Sequence, residues 1–411
     1  MTVLVLLAFH VAIASVMYVI AHSPFLIHLH QDGFWNFALD SVAYHKKAAL
    51  LVDALRQGDL HAWWHGVEKW PHVKWIALCY WILGVNSLSF ELINAPVWVA
   101  TLFVIWRTGT VLFDEHPHVA YVPALLFGFL PSYLMSTTQL LKDPVCILGL
   151  CLMMLGWVLL FKGGRAWRAV ALLCIGFLLI TSMRGYLKMV ILPILGIGGL
   201  TLLLARKHFR YAALASLGGF LLMAFWLIFS PVTTTKASPT HSASVFVDRA
   251  TMQIDHAVGR IDYIRQNFGI KYKHAQTNTD MGVRLRSLSD IINYLPRAMQ
   301  LGFFSPFPNS WMDTGRQTGR IGRMIAGCET LLWYVLLIAS IYCWWRDRRV
   351  LLALSASLLL SFVVITLLGL VVPNMGTLYR MRIGYLIPFY ITGAYGIYYL
   401  MRRRMWERVG E

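Results

Sequence analysis

The sequence predicts an all-α polytopic membrane protein, and three observations carry that prediction. The chain has 411 residues, is 58% hydrophobic and has a mean hydropathy of +0.61. It repeats apolar runs of about 18–25 residues, the length that crosses a bilayer as a helix. Its arginines gather in short connections between those runs. A membrane β-barrel is excluded, because barrel strands alternate with period two over about ten residues and these runs do not. The net charge of +17 would point to nucleic acid in a soluble domain. Here much of it is arginine beside apolar spans, so no nucleic-acid partner is expected. Cys79, Cys146, Cys151, Cys174, Cys328 and Cys343 lie in or beside apolar segments without CxxC spacing. That pattern indicates neither a disulfide framework nor a zinc site.

The first run, at 3–22, lacks a basic segment ahead of it and a convincing cleavage site after it. It reads as a retained span rather than a removed signal peptide. Ser23–Ser87 follows as an outer loop of amphipathic character. Within it Lys74–Phe90 is apolar but interrupted by Gly84 and Asn86, and Trp63, Trp64, Trp70 and Trp75 cluster around its start. This stretch reads as an interfacial or re-entrant helix on the outer leaflet. Further spans are expected at 88–112, 118–136, 143–161, 167–183, 188–205, 211–230, 324–344, 350–372 and 381–401, which makes about ten. Between the seventh and eighth, Pro231–Arg323 is a polar loop with helices expected near 244–268 and 287–303. Ser287 or Ser289 caps the second, and Pro306-Phe307-Pro308 marks a rigid turn beyond it. The chain therefore divides into an N-terminal transmembrane module (1–230), an extracytoplasmic loop region (231–323) and C-terminal transmembrane helices with a basic tail (324–411).

Orientation follows from the short loops. Lys162, Arg165 and Arg168 form one basic connection, Arg206, Lys207 and Arg210 a second, and Arg346, Arg348 and Arg349 a third. The tail adds Arg402, Arg403, Arg404 and Arg408. With ten spans all four groups fall on one side, the cytoplasm by the positive-inside rule, together with both termini. Counting Lys74–Phe90 as a further span would flip every later basic loop outward.

Five cations defy that bias. Lys142, Arg184, Lys188, Arg380 and Arg382 sit in or beside brief outer connections. Guanidinium groups at a helix end grip phosphate bidentately while a lipid tail stays in the bilayer, although single arginines also snorkel to headgroups without any ligand. Lys142 could bind phosphate as a point charge or pair with an acidic loop residue. Asp143 before Pro144 fits an N-cap, and capping could be its whole role. Tyr186 shares the tight hairpin of Arg184 and Lys188, and Asn374 opens the hairpin of Arg380 and Arg382. Asp40, after the first span and followed by Tyr44, could take a proton from an attacking hydroxyl, or could be a solvated loop residue or cap. Glu91 and Asn94 lie at the outer end of the second span. Glu329, within the eighth, is expected to pair with a buried arginine. His61 and His65 could share a helix face with His72 nearby, but they lack a convincing third metal ligand.

The outer aspartate after the first span resembles the C-type (GT-C) membrane glycosyltransferases, in particular bacterial relatives of the protein mannosyltransferase and aminoarabinose transferase group. Asp40, with Tyr44 following, matches the position of their catalytic acidic residue, although Asp40-Ser41 stands where many members carry an acidic pair. Leu92-Ile93-Asn94-Ala95 resembles the start of their second span. Pro131-Ser132 through Lys142-Asp143-Pro144, and Asn374-Met375-Gly376-Thr377 to Arg382, resemble segments of bacterial members. The resemblance implies a bacterial inner-membrane enzyme of polysaccharide biosynthesis. It would move a sugar from a polyprenyl phosphate or diphosphate donor to a glycan or lipid acceptor on the outer face. Asp40 would be the base, Arg184, Arg380 and Arg382 the phosphate clamp, and Lys142 a supporting cation. The loop would cover the site, with Tyr263, Tyr294 or Trp311 as sugar platforms. Some members use a divalent metal and others none, so the cofactor stays open.

Two other readings fit the same charges less fully. A polysaccharide polymerase or ligase would rely on outer arginines and histidines more than on Asp40. A lipid-linked glycan transporter would need a polar pathway at mid-membrane and related halves. The charges instead gather at one edge, and the sequence has no internal repeat.

Overall fold

The computed structural model describes residues 2–66, 70–204, 244–273, 275–315 and 318–409. The span expected at 211–230 and the basic connection Arg206–Arg210 lie outside them. Apart from a two-residue ribbon pairing His30–Gln31 with Phe34–Trp35, the described secondary structure is helical. Five helices are long and apolar enough to cross a membrane, or six if one bent pair counts as a single span.

Helix α1 (Thr2–Ala21) leads to α2 (Asp40–Arg56), α3 (Leu60–His65) and α4 (Pro71–Leu83). The buried positions of α2, Tyr44, Ala48, Leu51 and Val52, recur at helical spacing, as do Val73, Ile76, Ala77 and Tyr80 of α4. These two stripes close on each other and on Leu140 and Leu141, forming a small core separate from the main bundle. The apolar stretch expected at 74–90 is thus shorter as a helix. Gly84 ends it at φ 95°, a conformation a side chain would disfavour, and Asn86 caps the turn that follows.

The main bundle begins with α5 (Glu91–Leu112), followed by α6 (Tyr121–Gly128) and α7 (Pro131–Thr137). The expected span at 118–136 is this pair, bent by 66° at the break before Pro131. Next come α8 (Asp143–Lys162), α9 (Ala166–Met183) and α10 (Lys188–Leu204). α8 and α9 approach closely at Gly149 and Gly176, where a Cβ on Gly149 would sit 2.9 Å from the Gly176 carbonyl oxygen. Packed also against α5, α8 is the best-buried of the candidate spans among the described residues.

Beyond the undescribed segment stand α11 (Ser244–Lys271) and α12 (Leu288–Phe304), close to the helices expected there. Ser287 caps α12 in a full capping box with Asp290. Then follow α13 (Gly319–Arg346), α14 (Arg348–Ala353), α15 (Ser355–Val371), α16 (Met375–Arg382) and α17 (Ile387–Val409). The span expected at 350–372 is divided at Leu354, and the one at 381–401 starts only after a 3₁₀ turn at Ile383–Leu386.

The bundle has two chemically different ends. At one, Lys162 pairs with Asp114 at 3.5 Å, Arg402 bonds His116 at 2.7 Å, and Arg346 lies over the Tyr399 ring. Asp143, Arg184 and Arg380 meet at the other, one helix length away along α8.

Candidate functional site

Segments far apart in sequence converge at this second end. Asp40 lies in the first turn of α2 and Asp143 in the first turn of α8, where the helix dipole favours a carboxylate. Arg184 directly follows α9, and Arg380 projects from α16. Asp143 does not serve as a cap. Its Oδ1 accepts from Arg184 Nη2 at 2.5 Å, a buried charge-assisted bond that outcompetes the local backbone.

Arg380 joins the two carboxylates. Its Nη2 lies 3.1 Å from Asp40 Oδ2, its Nε 3.8 Å from Asp143 Oδ2, and its Nη1 reaches the Phe37 carbonyl at 3.5 Å. Lys271, at the end of α11, approaches Asp40 Oδ1 at 3.9 Å. Lys142 immediately precedes α8. Burial, then the charge of Arg184, lower the pKa of its ammonium, while Asp143 and Asp40 oppose that shift. Among the described residues four cations (Lys142, Arg184, Lys271, Arg380) thus face two carboxylates (Asp40, Asp143), an excess of two positive charges when Lys142 is protonated. Such an excess around partly accessible guanidinium suits a phosphate group.

Tyr44 is buried one turn along α2 from Asp40. Burial, then the charges of Asp40 and Asp143, push its phenol well up, so it remains a protonated donor. Its ring meets His72 edge-on with centroids 4.2 Å apart. Burial, then Lys142, lower the His72 pKa to about 3, and its Nε2 has no hydrogen-bond partner among the described residues. This histidine is therefore neutral and belongs to the cluster instead of joining His61 and His65, whose rings are 4.5 Å apart on the exposed α3. Among the described residues no group of three or more His, Cys, Asp or Glu side chains could hold a metal ion.

Arg382 does not join the clamp. It is 1% exposed, donates to the Gly302 carbonyl at 2.7 Å and lies over the Tyr379 ring. Among the described residues Glu329 forms no direct ion pair with an arginine, although the buried Arg382 lines the same small cavity as a nearby charge. Glu329 accepts from the Ser132 amide at 2.8 Å, from the Ser132 hydroxyl at 2.5 Å, and from the Tyr379 hydroxyl. It thereby caps α7 at the break of the bent pair and ties it to α16, the helix that presents Arg380. Asn374 fixes the other end of α16. Its Oδ1 caps Thr377, and its Nδ2 bonds Thr277 Oγ1 at 3.0 Å and Asn278 Oδ1 at 2.9 Å.

The hydroxyl of Tyr186 accepts from Arg184 at 3.2 Å while its side chain stays half exposed, and Lys188 is exposed at the start of α10. Two expected sugar platforms are engaged within the fold. Tyr294 donates to Asp280 at 2.8 Å, and Trp311 donates to the Pro306 carbonyl at 2.8 Å. Tyr263 alone of the three is strongly exposed. Sequence reasoning missed Lys271 and grouped His72 with His61 and His65 instead of with the cluster. Lys271 offers no signal beyond a basic helix end, and His72 only its place in a tryptophan-rich segment.

Comparison of the chain with protein-family models, with curated proteins and with solved structures finds no match in any of the three.

Proposed function

We propose that the chain transfers a sugar from a polyprenyl-(di)phosphate donor to an acceptor at the extracytoplasmic face, as a C-type membrane glycosyltransferase does. One observation carries the reading: a cluster with two positive charges in excess, joined to Asp40, at the end of the bundle opposite the basic connections. The positive-inside rule assigns the basic end to the cytoplasm, so the cluster faces outward. A donor phosphate arriving there competes with Asp40 for Arg380, which is still 24% exposed. Displacement would release Asp40 from Arg380 and set it beside the reacting centre.

The acceptor oxygen then attacks the anomeric carbon from the face opposite the phosphate. The carbon–oxygen bond to phosphate breaks, the phosphate leaves with the electron pair, and Asp40 takes the acceptor's proton. Arg380 and the nearby Lys142 neutralise the charge that develops on the leaving phosphate. Arg184, buried and bonded to Asp143, holds that carboxylate in place rather than reaching the ligand directly. In an assay with a polyprenyl-linked sugar, Asp40→Asn should lower turnover by at least about 100-fold in a protein that still folds. Full turnover would remove Asp40 from the mechanism.

A polysaccharide polymerase or ligase is the second reading, favoured by the neutral His72, which touches the Tyr44 ring, feels the charge of Lys142 and has no partner for its Nε2 among the described residues. Activity lost in Arg380→Gln and His72→Gln but retained in Asp40→Asn would select it.

A further inference from the structure

At the opposite, arginine-rich end lies a groove of about 640 Å³ that plays no part in the chemistry above. Its walls are apolar. Leu155 and Leu159 come from the last turns of α8, and Leu172 with Ala171 from the second turn of α9. Its rim is cationic. Arg107 enters from α5, Arg165 from the turn between α8 and α9, and Arg168 from the first turn of α9. Trp167 stands beside them, 67% exposed, with the Arg168 guanidinium 5.4 Å from its ring. An exposed indole at a helix end is the usual occupant of the membrane–water interface. The leucine walls then lie at acyl-chain depth and the guanidinium rim at headgroup depth.

The charge at this rim is uncompensated among the described residues. Among the described residues none of the three arginines has a carboxylate partner, and Arg107 bonds only the Thr110 hydroxyl, at 3.4 Å. The nearby Asp114 is engaged by Lys162 instead. Isolated arginines at helix ends snorkel to headgroups and need no cavity. Here three guanidinium groups from three segments line one apolar concavity, and an anion seated between them would relieve their mutual repulsion. We propose that this groove is a binding site for one anionic diacyl phospholipid. Its phosphodiester would be held by Arg107, Arg165 and Arg168, and an acyl chain would lie along Leu155, Leu159 and Leu172.

The test uses the full chain in mild detergent, with native mass spectrometry counting bound lipid after exchange into micelles doped with phosphatidylglycerol or phosphatidylcholine. Wild type should retain phosphatidylglycerol in preference to phosphatidylcholine. The Arg107→Ala/Arg165→Ala/Arg168→Ala variant should bind it on the order of 100-fold more weakly, the loss of three charge contacts. Removing Arg346, Arg348 and Arg349 instead, the same charge from the same end, should leave retention unchanged. Ala171→Trp, which fills the groove and keeps every arginine, should also expel the lipid. Equal binding of both lipids by wild type, or equal loss in both arginine variants, would overturn the site. Retention unaffected by Ala171→Trp would do the same. Glycerol phosphate competing as strongly as the whole lipid would reduce the groove to a bare anion site and refute the acyl-chain component.

Discussion

Arg380 and Arg382 stand two residues apart on one short helix and meet opposite environments. A step of two residues turns an α-helix by about 200°, so one side chain faces the charged cluster and the other the bundle interior. Arg380 is partly open and shared between Asp40 and Asp143. Arg382 is sealed, bonded to the Gly302 carbonyl beside the closed Glu329–Tyr379–Ser132 network. On the proposed reading the open cluster exchanges one of its own carboxylates for a ligand phosphate. The closed one has its acceptors occupied and serves to hold α16 in position. On that reading the two arginines of one hairpin are a functional group and a structural group, and charge count alone does not separate them.

The contrast can be broken from either side, beginning with the largest effect. Asp40→Asn should lower turnover of a polyprenyl-linked sugar by about 10²–10⁴-fold, the scale of a lost general base, with little change in thermal stability. Asp143→Ala should act the other way, on the fold. It strands the buried Arg184 guanidinium and should cost about 3–5 kcal/mol in chemical denaturation. Replacing both partners together, Asp143→Leu with Arg184→Met, should recover most of that loss. A double variant as unstable as the single one would show that the pair is not the source.

His72 supplies a pH test. Burial, then Lys142, keep its imidazole neutral in the folded chain down to about pH 3, against an ordinary value near 6.5. Between those values the unfolded chain binds one more proton, so stability falls as pH drops through the window. The fall should be about 2 kcal/mol between pH 7 and pH 5 and should vanish in His72→Phe. The same slope in the variant would place the titration elsewhere. The smallest effect belongs to the closed network. Tyr379→Phe removes one donor to Glu329 and should cost about 1 kcal/mol, with a modest drop in turnover through a looser α16.

Much of this was legible in the sequence, for reasons particular to each element. The helices near 91–112, 143–162 and 166–183 follow directly from apolar length, and α12 from its serine cap. The meeting of Asp40, Lys142, Arg184 and Arg380 followed from placing their loops at one membrane edge, because loops at one edge are few and close. Direction within a loop was not legible. Asp143 reads as a cap because Pro144 follows it, yet a tertiary ion pair claims its carboxylate. Glu329 reads as an arginine partner, yet the free amide and hydroxyl of Ser132 at the break before α7 are nearer donors. Lys271 carries no local mark at all. Its approach to Asp40 depends on the tertiary placement of the end of α11.

The most direct test is the affinity of purified protein for polyprenyl phosphate, compared with uncharged polyprenol of the same length, in wild type and in Arg380→Gln. Wild type should bind the phosphate form at least about tenfold more tightly, the worth of one charge-assisted contact, and Arg380→Gln should erase that preference. Equal binding of the two lipids by wild type, or an undiminished phosphate preference in Arg380→Gln, would contradict the assignment of the open cluster as the donor site.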